Sequence, residues 1–170
     1  IDYGVVFLGA LRAGIAAALV PPTATAESIA AMVADSGATH LFLDSAAAGA
    51  IAPVVERIPA ERIAIDHSGA ALGAWLGEGG AKAVPVAADP AAPFNIIYSS
   101  GTTGTPKGIV HHHGMRWQHI MRGVPAYGPK AVTILSTPLY SNTTMASFLP
   151  TLGSGGQVVL MKKFDVLGFL

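Results

Sequence analysis

Positions 99 to 108 read Ser-Ser-Gly-Thr-Thr-Gly-Thr-Pro-Lys-Gly: five hydroxyl side chains, three glycines and one lysine in ten residues. The stretch directly follows the apolar run Phe94-Asn95-Ile96-Ile97-Tyr98. Each residue type suits an anion. Gly101, Gly104 and Gly108 allow the backbone to approach a ligand closely and turn its N–H groups toward it. Ser99, Ser100, Thr102, Thr103 and Thr105 add rotatable hydroxyl donors. Lys107 adds a point charge, and Pro106 restricts the backbone just before it. A Walker A loop is excluded, because it needs glycine before its lysine and Ser or Thr after it, whereas Lys107 lies between Pro106 and Gly108. A dinucleotide GxGxxG is excluded as well, since Gly101 and Gly104 are spaced GxxG. An ordinary hydroxyl-rich turn explains the glycines but not the whole string.

A second cluster is His111-His112-His113. On a strand, His111 and His113 share one face, and imidazole is a good zinc ligand. No third ligand is spaced to join them, and His119 falls on a different element, so no metal site is expected. The Lys and Arg residues of this region are scattered, with no basic helix carrying interleaved aromatics, so no nucleic-acid partner is expected. Trp117, Phe148, Met115 and Met121 read most simply as core or pocket wall. The chain has no cysteine, which excludes disulfides, thiolate metal sites and a cysteine nucleophile.

Strand and helix patterns alternate around these residues. Tyr3 to Ala17 reads as a largely buried helix and Ala18-Leu19-Val20 as a strand stopped by Pro21-Pro22. Thr25 to Ser36 reads as a helix with Thr25 as N-cap, Ser28 in place of a capping-box glutamate, and Gly37 as C-cap. His40–Leu43 and Arg62–Ile65 read as strands flanking a helix from Ser45 to Arg57. Ser68 to Pro93 reads as a surface connection with a short helix at Leu72–Leu76. Strands are expected at Phe94–Tyr98, Ile109–His111, Val132–Leu135 and Gln157–Met161. Helices are expected at Gly114–Met121 and at Thr143–Leu152, the latter interrupted near Pro150. Strands separated by helices of this length predict an α/β fold with a mainly parallel, helix-covered sheet.

Charge is distributed unevenly. Residues 1–89 hold nine Asp or Glu against four Lys or Arg, whereas 90–170 hold one acid, Asp165, against six Lys or Arg. The second half also contains the glycine-rich loop and four of the six histidines, a balance suited to an anionic ligand. Only 12% of residues are charged and 51% are hydrophobic. The average soluble domain is roughly 25% charged, so some apolar surface is expected to lie against further chain or a partner. Because the sequence starts at Ile1 and stops at Leu170 inside an apolar stretch, it is expected to be an excerpt of a longer protein. No membrane span is expected, since Arg12 and Pro21-Pro22 cut the most apolar region, and the lack of cysteine fits a cytoplasmic location.

Tyr98 to Gly108 resembles the signature loop of the adenylate-forming superfamily, which includes acyl-CoA synthetases, peptide-synthetase adenylation domains and luciferases. Asp89-Pro90, His113, Pro138-Leu139-Tyr140 and Gly9-Ala10-Leu11-Arg12-Ala13-Gly14 match the family pattern too. The resemblance implies that residues 1–170 are an incomplete part of the large N-terminal AMP-binding domain. It implies a cradle for the β- and γ-phosphates of ATP formed by Ser99, Ser100, Gly101, Thr102, Thr103, Gly104, Thr105 and Lys107, with Lys107 in the catalytic role. Tyr140 and Ser141 are implied to line the acid pocket. Many members carry histidine where this chain has Ser141, so no histidine role is carried over. The implied reaction joins a small carboxylic acid, fatty or aromatic, to coenzyme A through an acyl-adenylate, with ATP and Mg as further requirements. The ribose-binding aspartate, hinge and catalytic lysine of the family lie further along, so the excerpt alone is expected to be inactive. A peptide-synthetase adenylation domain and a non-catalytic nucleotide-binding module are the alternatives, and self-association is left open.

Overall fold

The computed structural model describes residues 2–66, 72–76, 80, 82, 84, 86–99, 106–161 and 164–169. They form two compact units, one of residues 1–87 and 95–110, the other of 88–94 and 111–170.

In the first unit, helix α1 (Asp2–Arg12) begins on an acid and ends on a base, as its dipole favours. It stops five residues before the expected end. Gly14 takes φ +74°, its N–H donates to the Leu11 carbonyl (3.0 Å), and Ile15 N–H reaches back to the Ala10 carbonyl (2.9 Å). That pair of bonds is a Schellman closure, which releases Ala17 into strand β1 (Ala17–Leu19). Nor is α1 largely buried: Gly4 and Phe7 are, while Tyr3, Val5 and Leu8 are exposed.

Helix α2 (Ala26–Ser36) has the expected caps. Thr25 Oγ1 accepts the Ser28 N–H at 3.2 Å, and Gly37 closes the helix at φ 65°. Its Ile29, Ala30, Met32 and Val33 face the core of this unit, together with Leu43, Ile51, Val54, Ile58 and Ala60. Strands β2 (His40–Leu43) and β3 (Glu61–Ala64) pair in parallel, with His40 opposite Glu61. The helix expected over 45–57 is two pieces: α3 (Ser45–Ile51), capped by Asp44, and a 3₁₀ helix over Ala52–Arg57. Pro53 explains the change, because its ring has no N–H to donate to the Gly49 carbonyl and crowds it. Ala52 N–H takes that carbonyl through a tighter bond instead. A short helix α4 covers Leu72–Trp75.

Strands β4 (Pro93–Ser99) and β5 (Lys107–His112) join β1 in a three-stranded sheet of order β1-β4-β5, with Ala17 opposite Asn95 in a parallel pair. The second unit holds α5 (His113–Gly123), β6 (Val132–Leu135), α6 (Asn142–Gly153), β7 (Gln157–Leu160) and a terminal turn of helix, α7 (Val166–Phe169). β6 and β7 pair in parallel, with α6 as the crossover helix. The expected α/β class with parallel, helix-covered strands is therefore present, and its ladder bonds fall into three groups.

α6 is not interrupted at Pro150. Proline removes one backbone donor, and in the next position Thr151 Oγ1 donates to the Ser147 carbonyl at 2.7 Å. The ring then fills a helix contact. A Cβ on Gly123 would overlap Pro150, and one on Gly153 would come within 2.7 Å of Ile120 Cγ2. The two glycines let α5 and α6 approach closely above buried Met145, Phe148 and Leu149. Val132, Ile134 and Val159 of β6 and β7 remain exposed.

Candidate functional site

β4 ends on Ser99 and β5 begins on Lys107, so the two described ends of the glycine-rich segment sit at neighbouring strands of one sheet. Ser100, Gly101, Thr102, Thr103, Gly104 and Thr105 lie outside the described residues. Ser99 is at the carboxyl end of β4, and β1 runs parallel beside it. The carboxyl ends of parallel strands are where ligands bind in open α/β sheets. Lys107 is exposed and Pro106 half-buried.

The base of the segment is built to hold still. Phe94, Asn95 and Ile97 bury β4, and Tyr98 sends its hydroxyl to the last turn of α2. One phenolic proton is shared between the Met32 carbonyl at 2.9 Å and Asp35 Oδ2 at 2.8 Å. Burial first, then the Asp35 hydrogen bond and charge, raise the Tyr98 pKa well above the ordinary tyrosine range, so the group stays a donor. Across the segment, Gly108 lies against the same ring: a Cβ there would meet Ile96 Cγ2 at 3.0 Å and Tyr98 Cε1 at 3.1 Å. Gly108 thus lets β5 approach Tyr98, and Lys107 starts from a fixed point. A cavity of about 350 Å³ in the same unit is walled by Leu43, Ile51, Val55 and Arg62. Its lining is mainly apolar and includes no residue of 99–108, so it does not suit a polyphosphate.

In the second unit, the Asp89-Pro90 element grips the start of α5. Asp89 Oδ1 accepts the Ala91 N–H at 2.8 Å, and the carbonyls of Ala92 and Pro90 accept the N–H groups of His113 (3.0 Å) and Gly114 (2.8 Å). Two of the orphan donors of α5 are satisfied in this way. His113 begins the helix, with its ring edge-on to Phe94 at 5.1 Å, and so does not share a strand face with buried His111. Among the described residues no three His, Asp or Glu side chains are grouped to hold a metal ion.

Tyr140 and Ser141 occupy one turn. Buried Leu139 anchors it, Ser141 N–H donates to the Pro138 carbonyl at 3.0 Å, and Thr137 Oγ1 meets Thr144 Oγ1 at 2.6 Å. Ser141 is the N-cap of α6 but makes no side-chain capping bond. The next residue, Asn142, accepts a 2.9 Å bond from Nη1 of buried Arg116. Sequence reasoning missed the supporting roles of Tyr98, Asp35, Arg116 and Asn142. The available signal for Tyr98 is a polar-tipped ring ending an apolar run, whereas Arg116 is in sequence one of several scattered Lys and Arg residues.

The profile of the AMP-binding enzyme family matches residues 1–169, and the chain belongs to that family. It is 30% identical over 184 aligned positions to 4-coumarate–CoA ligase 5 of Oryza sativa subsp. japonica, covering 100% of this chain and 33% of that protein. It is 36% identical over 125 positions to the 4-hydroxybenzoate–CoA/benzoate–CoA ligase of Rhodopseudomonas palustris, covering 66% of this chain and 22% of that protein. The crystal structure of ATP-bound MatB from Rhodopseudomonas palustris shares the fold, with TM-score 0.84 and 22% identity over 99% of this chain and 34% of that one. The chain therefore spans a third or less of the length of each of these ligases. Among the described residues no helix is long and apolar enough to cross a membrane.

Proposed function

We propose that this chain is the phosphate-loop part of the N-terminal domain of an ATP-dependent acid–CoA ligase. The observation that carries the reading is the Ser99–Lys107 segment strung between β4 and β5, with its base clasped by Tyr98 and Gly108. The exposed Lys107 cation and the hydroxyl-rich, acid-poor segment fit a polyphosphate with its magnesium ion. In this reading a carboxylate oxygen of the acid bonds to the α-phosphorus of ATP as the bond to the bridging oxygen breaks, and pyrophosphate leaves. The thiol of coenzyme A then takes the acyl group and AMP is released. Lys107, the loop N–H groups and the hydroxyls neutralise charge on the departing pyrophosphate, and their share of catalysis is positioning and electrostatics. Tyr140 and Ser141 form part of the acid-pocket wall. The names of the relatives, coumarate and benzoate ligases, favour an aromatic acid.

The test is carboxylate-dependent ATP–pyrophosphate exchange by the full-length protein over aromatic, fatty and amino acids, followed by addition of coenzyme A. Aromatic-acid exchange with thioester formation is expected. Exchange only with amino acids and no thioester would favour peptide-synthetase adenylation. Lys107→Ala should lower exchange by roughly 10²–10³-fold, as loss of one preorganised donor does, with an unchanged Tm. Undiminished exchange in that variant rejects the loop assignment.

A further inference from the structure

Arg116 is the largest fully buried side chain of the described residues, at 1% exposure. Its Nη1 donates to Asn142 Oδ1 at 2.9 Å and lies 3.5 Å from His119 Nδ1. Burial draws the guanidinium pKa down to about 10. A buried guanidinium is placed by its hydrogen bonds, and the bond to Asn142 ties α5 to the first residue of α6.

Its bond does fix one thing. Ser141 supplies no side-chain cap, so the first residue of α6 is held from outside, by Arg116 on α5. Tyr140 and Ser141 immediately precede that residue. We propose that Arg116 is a positioning residue that sets the Tyr140–Asn142 turn through Asn142 and thereby tunes which carboxylic acid the enzyme accepts. The inference rests on the reading of Tyr140 and Ser141 as acid-pocket wall.

The experiment uses the full-length protein and compares Arg116→Met, Arg116→Lys and Asn142→Ala with the parent, measuring KM for the acid and for ATP, kcat and Tm. Arg116→Met should raise the acid KM on the order of 10- to 100-fold, the range for losing a hydrogen bond to a charged group. The KM for ATP should stay within about twofold, because uniform binding is lost at one subsite only. Arg116→Lys should recover part of the loss. Asn142→Ala removes the same bond from an exposed position and should reproduce the effect, so the idea stands or falls even if Arg116→Met does not fold. The double variant should be no worse than either single one. A lower Tm with an unmoved acid KM, or equal rises for acid and ATP, overturns the inference. Tyr140→Ala and Ser141→Ala separate the two layers. If they leave acid KM and selectivity unchanged, the pocket reading fails and takes the inference with it. If they shift it while Arg116→Met and Asn142→Ala do not, only the positioning role fails.

Discussion

Gly108→Ala is the sharpest probe of the clasp beneath the glycine-rich segment. The added Cβ would stand 3.0 Å from Ile96 Cγ2, 3.1 Å from Tyr98 Cε1 and 3.2 Å from Tyr98 Cζ, where ordinary contact begins at 3.4 Å. Relief requires a neighbour to retreat by a few tenths of an ångström. Ile96 is β-branched and on a paired strand, and Tyr98 is tied by its hydroxyl to Met32 and Asp35. Overpacking of this kind costs about 1–3 kcal/mol, against which alanine recovers about 0.5–1 kcal/mol of backbone entropy relative to glycine in a strand. The net loss is about 1–2 kcal/mol, or roughly 3–6 °C in Tm for a chain of this size. ATP affinity should fall with it, since Lys107 adjoins the displaced residue. Thermal unfolding followed by circular dichroism and ATP titration calorimetry read the two effects. In a Tyr98→Phe background the ring has lost its tether and can swing, so the same substitution should cost less, with a coupling of about 0.5 kcal/mol or more. A Tm within about 1 °C of the parent for Gly108→Ala, or an identical loss in both backgrounds, would refute the clasp.

Two other outcomes follow from the second unit. Gly123→Ala puts a Cβ into Pro150, with Cγ at 2.8 Å and Tyr127 Cδ2 at 3.3 Å, so α5 and α6 must part; a loss of about 3 kcal/mol, roughly 6–12 °C, is expected in thermal unfolding, and a loss under about 1 kcal/mol would mean the helices are not locked there. His119 is held below the ordinary histidine pKa by burial and then by the charges of Arg116 and Arg122. Its unfolded form therefore binds the proton more readily, and stability is full above about pH 6.5 and declines as the pH drops below that value. Tm measured from pH 8 to pH 5 should fall on the acid side, and His119→Gln should flatten that decline.

The parts of this protein that could be read from sequence are those whose causes are local. Thr25 and Gly37 mark the ends of α2 because each cap acts within three residues of itself. The loop string is equally local, with glycines, hydroxyls and lysine adjoining one another. The errors arise where short-range signals compete. The alanine-rich run after Leu11 favours continued helix, yet the left-handed turn at Gly14 ends α1, and Pro150 stays inside α6 because Gly123 makes room for its ring. What holds the candidate site was not legible, since it is long-range: Tyr98 reaches back 66 residues to Met32, and Arg116 reaches forward 26 to Asn142. Both bonds cross from one element to another and carry no spacing signature of their own. The chemistry that the loop string suits can thus be stated from ten consecutive residues, while the strand ends beside it are held by side chains whose partners only the fold brings within reach. Substitutions at Tyr98 and Gly108 therefore test the clasp between the two strands, and Lys107→Ala tests the phosphate reading itself.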